Sequence, residues 1–316
     1  MRAFPLTAVL LVGCFAAPAF AATDAAQWLG RMAQAEQQQS FQGTFIYERA
    51  GSFSSHDIWH RANQGRVSER LYQLDGPPRE VLRVDDSLRC VSGSSPMPGA
   101  GAASSSPILD PLKLMSWYTL NVGGESRVAG REAVVVTLTP KDQQRYGFEM
   151  HLDKQTGLPL KSLLLNDKGQ LLERFQYTRF STDAPSDTDL TATDDCKPVA
   201  PANQRADTSP APWRSDWLPA GFELLGQSAH LDPQRKVVVA SLMYGDGLAR
   251  VSVFIEPLAA NETADTHAQL GPTAAVSRRL AGKGGDLLVT VVGEVPIGTA
   301  ERIALSVRAD DVKTSP

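Results

Sequence analysis

The sequence predicts a mainly β, α+β protein: one curved antiparallel sheet wrapped around an opening helix, followed by a smaller domain. Three observations lead there. Apolar residues between Phe41 and Phe180 recur mostly with period two, the spacing of a half-buried strand. Asn, Asp and Gly fall between these runs at hairpin positions. A proline-rich break, 197–212, then separates them from a second set of strands.

The first residues have the pattern of a secretory signal. Met1 and Arg2 form a short basic region, and Ala3 to Ala17 is apolar except at Thr7, Gly13 and Cys14. Ala19-Phe20-Ala21 then supplies a small-residue cleavage pattern. The run is too short for a spanning helix. Residues 1–21 are therefore expected to be removed, leaving a mature chain that starts near Ala22 outside the cytoplasm. Leu11-Val12-Gly13-Cys14 also fits a lipoprotein box, the alternative in which acylated Cys14 tethers the protein to a membrane.

An apolar stripe of Trp28, Leu29, Met32, Ala33 and Ala35 predicts a helix over Ala25–Gln39, with Asp24 as its N-cap. Phe45 and Tyr47 open the strand pattern. Further strands are expected at 56–61, 67–74, 81–84, 134–139, 147–153, 158–165 and 171–180. Asn63-Gln-Gly65, Thr156-Gly157 and Asn166-Asp-Lys-Gly169 are the turns. Ser92–Pro107 reads as a loop, and Asp110-Pro111 starts a short helix towards Trp117. In the second domain two strands flank Gly245-Asp246-Gly247, Leu287–Val292 is an apolar strand, and Thr299–Val307 has helical spacing. The expected organisation is a first domain over 22–196, a linker over 197–212, a second domain over 213–308 and a tail over 309–316.

Composition narrows function. Thirty-one basic residues against 35 acidic ones, well mixed, give a net charge of −4 and no basic stripe for nucleic acid. Outside the signal, Cys90 and Cys196 remain; in an exported chain they are a candidate disulfide, with two free or buried thiols the alternative. Such a bridge would close a loop of roughly 100 residues, worth up to about 4–5 kcal/mol of chain entropy. His56 and His60 look like a metal fragment. On one strand they stand ~13 Å apart at ~3.3 Å per residue, so a polar strand face is expected and no metal site. No nucleophile elbow, zinc-protease or Ser-x-x-Lys pattern occurs, and Gly123-Gly124 and Gly284-Gly285 read as turns. No catalytic residue and no cofactor is assigned. Large apolar side chains are plentiful along the first domain's strands, and a sheet closing incompletely around a helix leaves an apolar hollow. Phe45, Tyr47, Trp59, Trp117, Phe148, Met150 and Phe175 are the candidate lining, with ordinary core as the competing reading.

Long segments resemble the RseB/MucB family of periplasmic regulators of the envelope-stress sigma factor. They include Trp28-Leu-Gly-Arg-Met32, Ser40-Phe-Gln-Gly-Thr-Phe-Ile-Tyr47 and His56-Asp-Ile-Trp-His-Arg61. Arg70 to Arg83, Tyr146 to Lys161 and Gln170 to Gln176 continue the match, with Trp217-Leu-Pro-Ala-Gly-Phe222, Tyr244 to Arg250 and Val289 to Pro296 beyond the linker. The resemblance implies an unclosed, lipoprotein-carrier-like half-barrel plus a smaller α/β domain, without enzyme activity. It further implies binding to the periplasmic domain of a transmembrane anti-sigma factor, which is thereby shielded from its site-1 protease. Mislocalised lipid or lipopolysaccharide would displace the protein. Tyr244, Asp246, Arg250 and Phe254, around the second-domain hairpin, are the candidate partner surface; a homo-oligomer stays open. The alternative is a periplasmic lipid or lipoprotein carrier.

Overall fold

A computed structural model describes residues 18–85, 87–93, 109–199, 213–232, 235–258, 265–282 and 285–309. The signal's n-region and apolar run, the lipoprotein box, most of the Ser92–Pro107 loop, linker residues 200–212 and the tail beyond Ala309 lie outside the described residues.

Eleven antiparallel strands make the larger sheet. Helix α1 (Pro18–Gln38) leads into β1 (Phe41–Arg49), β2 (Ser52–Asn63), β3 (Arg66–Gln73), β4 (Glu80–Val84) and β5 (Ser87–Val91). A one-turn helix α2 (Pro111–Leu114) precedes β6 (Tyr118–Val128), β7 (Arg131–Pro140), β8 (Gly147–Asp153), β9 (Pro159–Leu165), β10 (Leu171–Ser181) and β11 (Lys197–Pro198). The lateral order is β11-β5-β4-β3-β2-β1-β10-β9-β8-β7-β6, so β11 and β6 are unjoined edges and the barrel stays open. The hairpin turns follow their chemistry: Gln64 and Gly65 take φ of 49° and 77°, and Gly157 and Gly169 are likewise left-handed. Asp110 caps α2, accepting from Leu112 N at 3.0 Å and Lys113 N at 3.1 Å.

The face that carries α1 is the core. Ala25, Ala26, Leu29 and Met32 pack with Leu114, Leu120, Val136, Leu138 and Leu152 at the β6–β8 end. Ala35, one turn on, packs with Phe41, Phe45, Tyr47, Leu160 and Tyr177. The sheet bends so far that Val128, at the end of β6, joins this second group. A disulfide joins Cys90 on β5 to Cys196, just before β11, 106 positions apart. It pins the segment that leads into the break against the outer edge of the sheet, and Lys197–Pro198 pairs with β5 rather than standing free as linker.

The smaller domain begins at β12 (Trp213–Ser215) and builds a six-stranded sheet from β13 (Glu223–Leu231), β14 (Val238–Gly245), β15 (Arg250–Pro257), β16 (Thr266–Leu270), β17 (Thr273–Gly282) and β18 (Gly285–Gly293). Helix α3 (Ile297–Ser306) and β19 (Val307–Ala309) complete it. The order is β13-β14-β15-β18-β17-β16, antiparallel throughout, with β12 pairing β19. It is thus a sheet covered by one helix, not a succession of alternating strands and helices. Ala300, Ile303 and Ala304 of α3 close the core over Val276, Val289 and Val291. Two sequence expectations change. Gly123-Gly124 is no turn: it lies inside β6, at a bulge where the pairing with β7 slips. The opening helix also starts earlier than Ala25, running through the expected cleavage site from Pro18.

Candidate functional site: the concave face and the seam between the domains

Strand register decides which side chains face α1. Phe41, His60, Glu69 and Arg83 stand opposite one another across β1, β2, β3 and β4, one row on one face. The His60 ring stacks on Phe41 with centroids 4.5 Å apart, and its Nδ1 lies 3.1 Å from Glu69 Oε2. His56 stacks on Phe45 at 5.1 Å and is fully buried, and burial lowers its pKa. The two histidines are therefore inward core groups, which corrects the expected polar strand face: the strand's inner side is the crowded one. Among the described residues no group of three or more His, Cys, Asp or Glu is placed to hold a metal ion. An aromatic ladder continues the surface through Phe45–Phe175 at 4.7 Å, Phe175–Tyr177 at 5.0 Å and Tyr177–Phe180 at 4.9 Å. Glu36 reaches toward this row from α1. Its side chain touches solvent, yet the surrounding wall desolvates it and pushes its pKa up to about 7, His60 opposing the rise and Glu69 adding to it.

The proposed lining residues divide. Phe45 and Phe175 belong to the ladder, Tyr47 packs in the same core cluster beside it, and Phe148 and Met150 belong to the core under α1. Trp59 does not join them. It alternates with Ile58 and His60, so it sits on the outer face, where Arg70 lies 4.8 Å over its ring. Trp117 is at the seam: Gly221 of the second domain packs flat on its indole, and a Cβ there would come within 2.5 Å of the ring.

The seam itself is built on Arg145, from the loop between β7 and β8. Its Nη1 donates to Asp246 Oδ2 at 2.5 Å, and both side chains are fully buried. Nη2 donates to Asp142 Oδ2 at 2.9 Å and to the Ala220 carbonyl at 2.6 Å. Tyr118 and Phe222, one from each domain, flank the guanidinium at 5.5 Å. Asp246 is held ready by its own turn, accepting from Leu248 N at 3.0 Å and Ala249 N at 2.8 Å. Around this pair Thr299 Oγ1 donates to the Gln144 carbonyl at 3.1 Å, and Lys113 Nζ lies 2.6 Å from Glu223 Oε1. A second contact joins Arg49 to Thr273 and Glu294.

This changes the reading of the partner residues. Asp246 is consumed by the seam, and Tyr244 is buried with its hydroxyl accepting from Ser215 N at 3.2 Å. The hairpin is an interdomain plug rather than a free surface. Arg250, which pairs with Gly245 at the foot of the hairpin, and Phe254 lie on the sheet face turned away from α3. Arg145 is the functional residue that sequence reasoning missed. Its partner lies 101 positions away, and the only local signal is Asp142 three residues earlier.

Against known proteins, the sequence model of the MucB/RseB N-terminal domain matches residues 24–200, and that of the MucB/RseB C-terminal domain matches 207–308. The chain belongs to the MucB/RseB family. It is 55% identical over 306 residues to the sigma factor AlgU regulatory protein MucB of Pseudomonas aeruginosa, covering 96% of each chain. To the sigma-E factor regulatory protein RseB of Escherichia coli K12 it is 28% identical over 305 residues, 93% of each. A crystal structure of MucB in complex with MucA(peri) superposes with a TM-score of 0.78 at 54% identity, over 92% of this chain and 100% of that one. The P. aeruginosa MucA/MucB complex gives 0.80 at 52% identity, over the same shares. Among the described residues no helix of this MucB/RseB family member is long and apolar enough to cross a membrane.

Proposed function

We propose that this protein is an exported regulator of an envelope-stress sigma factor that works without catalysis. It binds the periplasmic domain of a transmembrane anti-sigma factor, shields it from site-1 proteolysis and so keeps the sigma factor sequestered. The single observation that carries this reading is the full-length likeness, at 54% identity, to MucB in a structure that also contains MucA(peri). The small-residue pattern Ala19-Phe20-Ala21 after an apolar run supports export to the periplasm.

Lipid or lipopolysaccharide is the proposed release signal. The concave face supports it: an unclosed sheet carries on its inner side an aromatic ladder that includes Phe45, Phe175 and Tyr177. Arg250 and Phe254 are the proposed partner contacts, since the sheet face they share is uncovered by α3 and carries half-exposed Met243. The test is protection. With the isolated periplasmic domain of the host's anti-sigma factor and its site-1 protease, adding this protein should suppress cleavage at least tenfold, and lipopolysaccharide should restore it. Cleavage at an unchanged rate with saturating protein would refute the regulator reading; the lipid carrier reading then gains from lipid co-purifying with the protein.

A further inference from the structure

The Arg49 contact is connected to the concave face in a way the Arg145 contact is not. Tyr47 borders the ladder within the same core cluster. Its ring is buried with Phe45 and Tyr177, and it stands opposite Phe175 across β1 and β10. Its hydroxyl, however, points away from the ladder and donates to Glu173 Oε2 at 2.5 Å. The same oxygen accepts from Arg49 Nη1 at 3.4 Å, and that nitrogen lies 3.7 Å from Glu173 Oε2. Arg49 is thus held on its near side by a phenol and a carboxylate of the first domain. On its far side Nη2 donates to Thr273 Oγ1 and to Glu294 Oε1, the latter at 3.3 Å, both in the second domain.

Two further observations make this contact sensitive. Glu173 is half-buried, and its pKa is raised by burial and by the charge of Glu294, with Tyr47 and Arg49 lowering it. The guanidinium therefore separates two carboxylates that would otherwise repel across the seam. Next to it the β16–β17 turn packs by backbone: a Cβ on Gly271 would come within 3.1 Å of Arg49 Cγ and 3.5 Å of the Leu172 carbonyl. Besides Arg49, the side-chain contact of this turn with the first domain is a long one, Gln269 Nε2 donating to the Tyr146 hydroxyl at 3.4 Å.

We propose that Tyr47 is the positioning residue of an interdomain latch. Its hydroxyl sets Glu173, the two together orient Arg49, and Arg49 holds Thr273 and Glu294. Because the ring and the hydroxyl are one rigid unit, any repacking of the ladder that shifts the ring withdraws the hydroxyl and frees the second domain along this edge. The Arg145 pair stays closed and serves as the pivot. An occupant of the concave face would reach the seam by this route; that consequence rests on the regulator reading, whereas the latch itself does not.

The experiment uses the full mature chain with the disulfide intact and nitroxide labels on Lys168→Cys and Ala281→Cys, exposed positions in the two domains. Pulsed dipolar spectroscopy should give one narrow distance for the parent protein. Tyr47→Phe keeps the ring and removes the hydroxyl, and should at least double the width of the distribution or add a longer population. Arg49→Met should do the same, and the double variant should be no broader than either single one. Glu173→Gln, which still accepts from the phenol but loses its charge, should broaden the distribution too and covers the case in which Tyr47→Phe folds poorly. Tyr72→Phe, on the outer face, should match the parent. A parent-like width in both Tyr47→Phe and Glu173→Gln, or additive broadening in the double variant, would overturn the latch. No partner or lipid enters the measurement, so its outcome is independent of whether the anti-sigma domain binds.

Discussion

Arg145 is a charge with no water around it, so everything depends on its partners staying in place. Removing one partner of a fully buried ion pair leaves the other uncompensated and costs about 3–5 kcal/mol. Asp246→Ala should therefore destabilise the protein by about that amount in denaturant unfolding, whereas Lys168→Ala, at an exposed turn position, should cost under about 1 kcal/mol. Glu36 makes a pH prediction. Its folded-state pKa of about 7 lies above its ordinary value of 4.5, so it contributes stability that is present below pH 4.5 and lost as pH rises toward 7. His60 from β2 and Glu69 from β3 act on it, and Arg83 stands next to Glu69 in the same row. Glu36→Gln should raise the melting temperature at pH 8 and leave it nearly unchanged at pH 4; an equal shift at both pH values would contradict the assignment. At this scale the sequence was least legible. Which face a side chain takes depends on register, and β1 and β10 slip past each other between Thr44 and Phe45. Trp59 read like the ladder aromatics because it is apolar and on a strand, yet its place between Ile58 and His60 turns it to the other face.

The elements were easier to read, for a physical reason. Where one face of a strand packs on the apolar core and the other does not, alternation survives in the sequence, as in Val251-Ser-Val253-Phe-Ile255 of β15. Strands at edges lose it. Every residue of β16 is exposed, and β13 is exposed at Glu223–Gln227 and at His230 and Leu231, so no apolar period marks them. In β6 the bulge at Gly123-Gly124 imitates a turn. Helix α1 was legible because its stripe is the core of the half-barrel. Leu29 has no exposed surface, so Leu29→Ala should cost about 2–5 kcal/mol, measured by chemical denaturation. The disulfide acts at the opposite edge. Cys90→Ala with Cys196→Ala should lower stability by up to about 4–5 kcal/mol, because it frees a loop of roughly 100 residues in the unfolded chain. A loss below 1 kcal/mol would mean that β5 and β11 hold that edge without it.

At the scale of the whole molecule, two of the polar contacts that join the domains among the described residues are of different kinds. The Arg145 pair is dry, enclosed by aromatic rings and closed to solvent. The Arg49 contact is half-open and tied to the aromatic ladder. Such an arrangement lets one end yield while the other holds, which a regulator needs if an occupant of one domain is to change binding by the other. The family likeness was legible in the sequence, but the seam was not, because it joins residues from separate domains that no local pattern connects. The measurement that tests the account most directly is a calorimetric titration of the mature protein with the periplasmic domain of the host's anti-sigma factor, with and without lipopolysaccharide. The expected result is tight one-to-one binding that weakens at least tenfold when lipid is present. No binding in either condition, or an affinity indifferent to lipid, would contradict it.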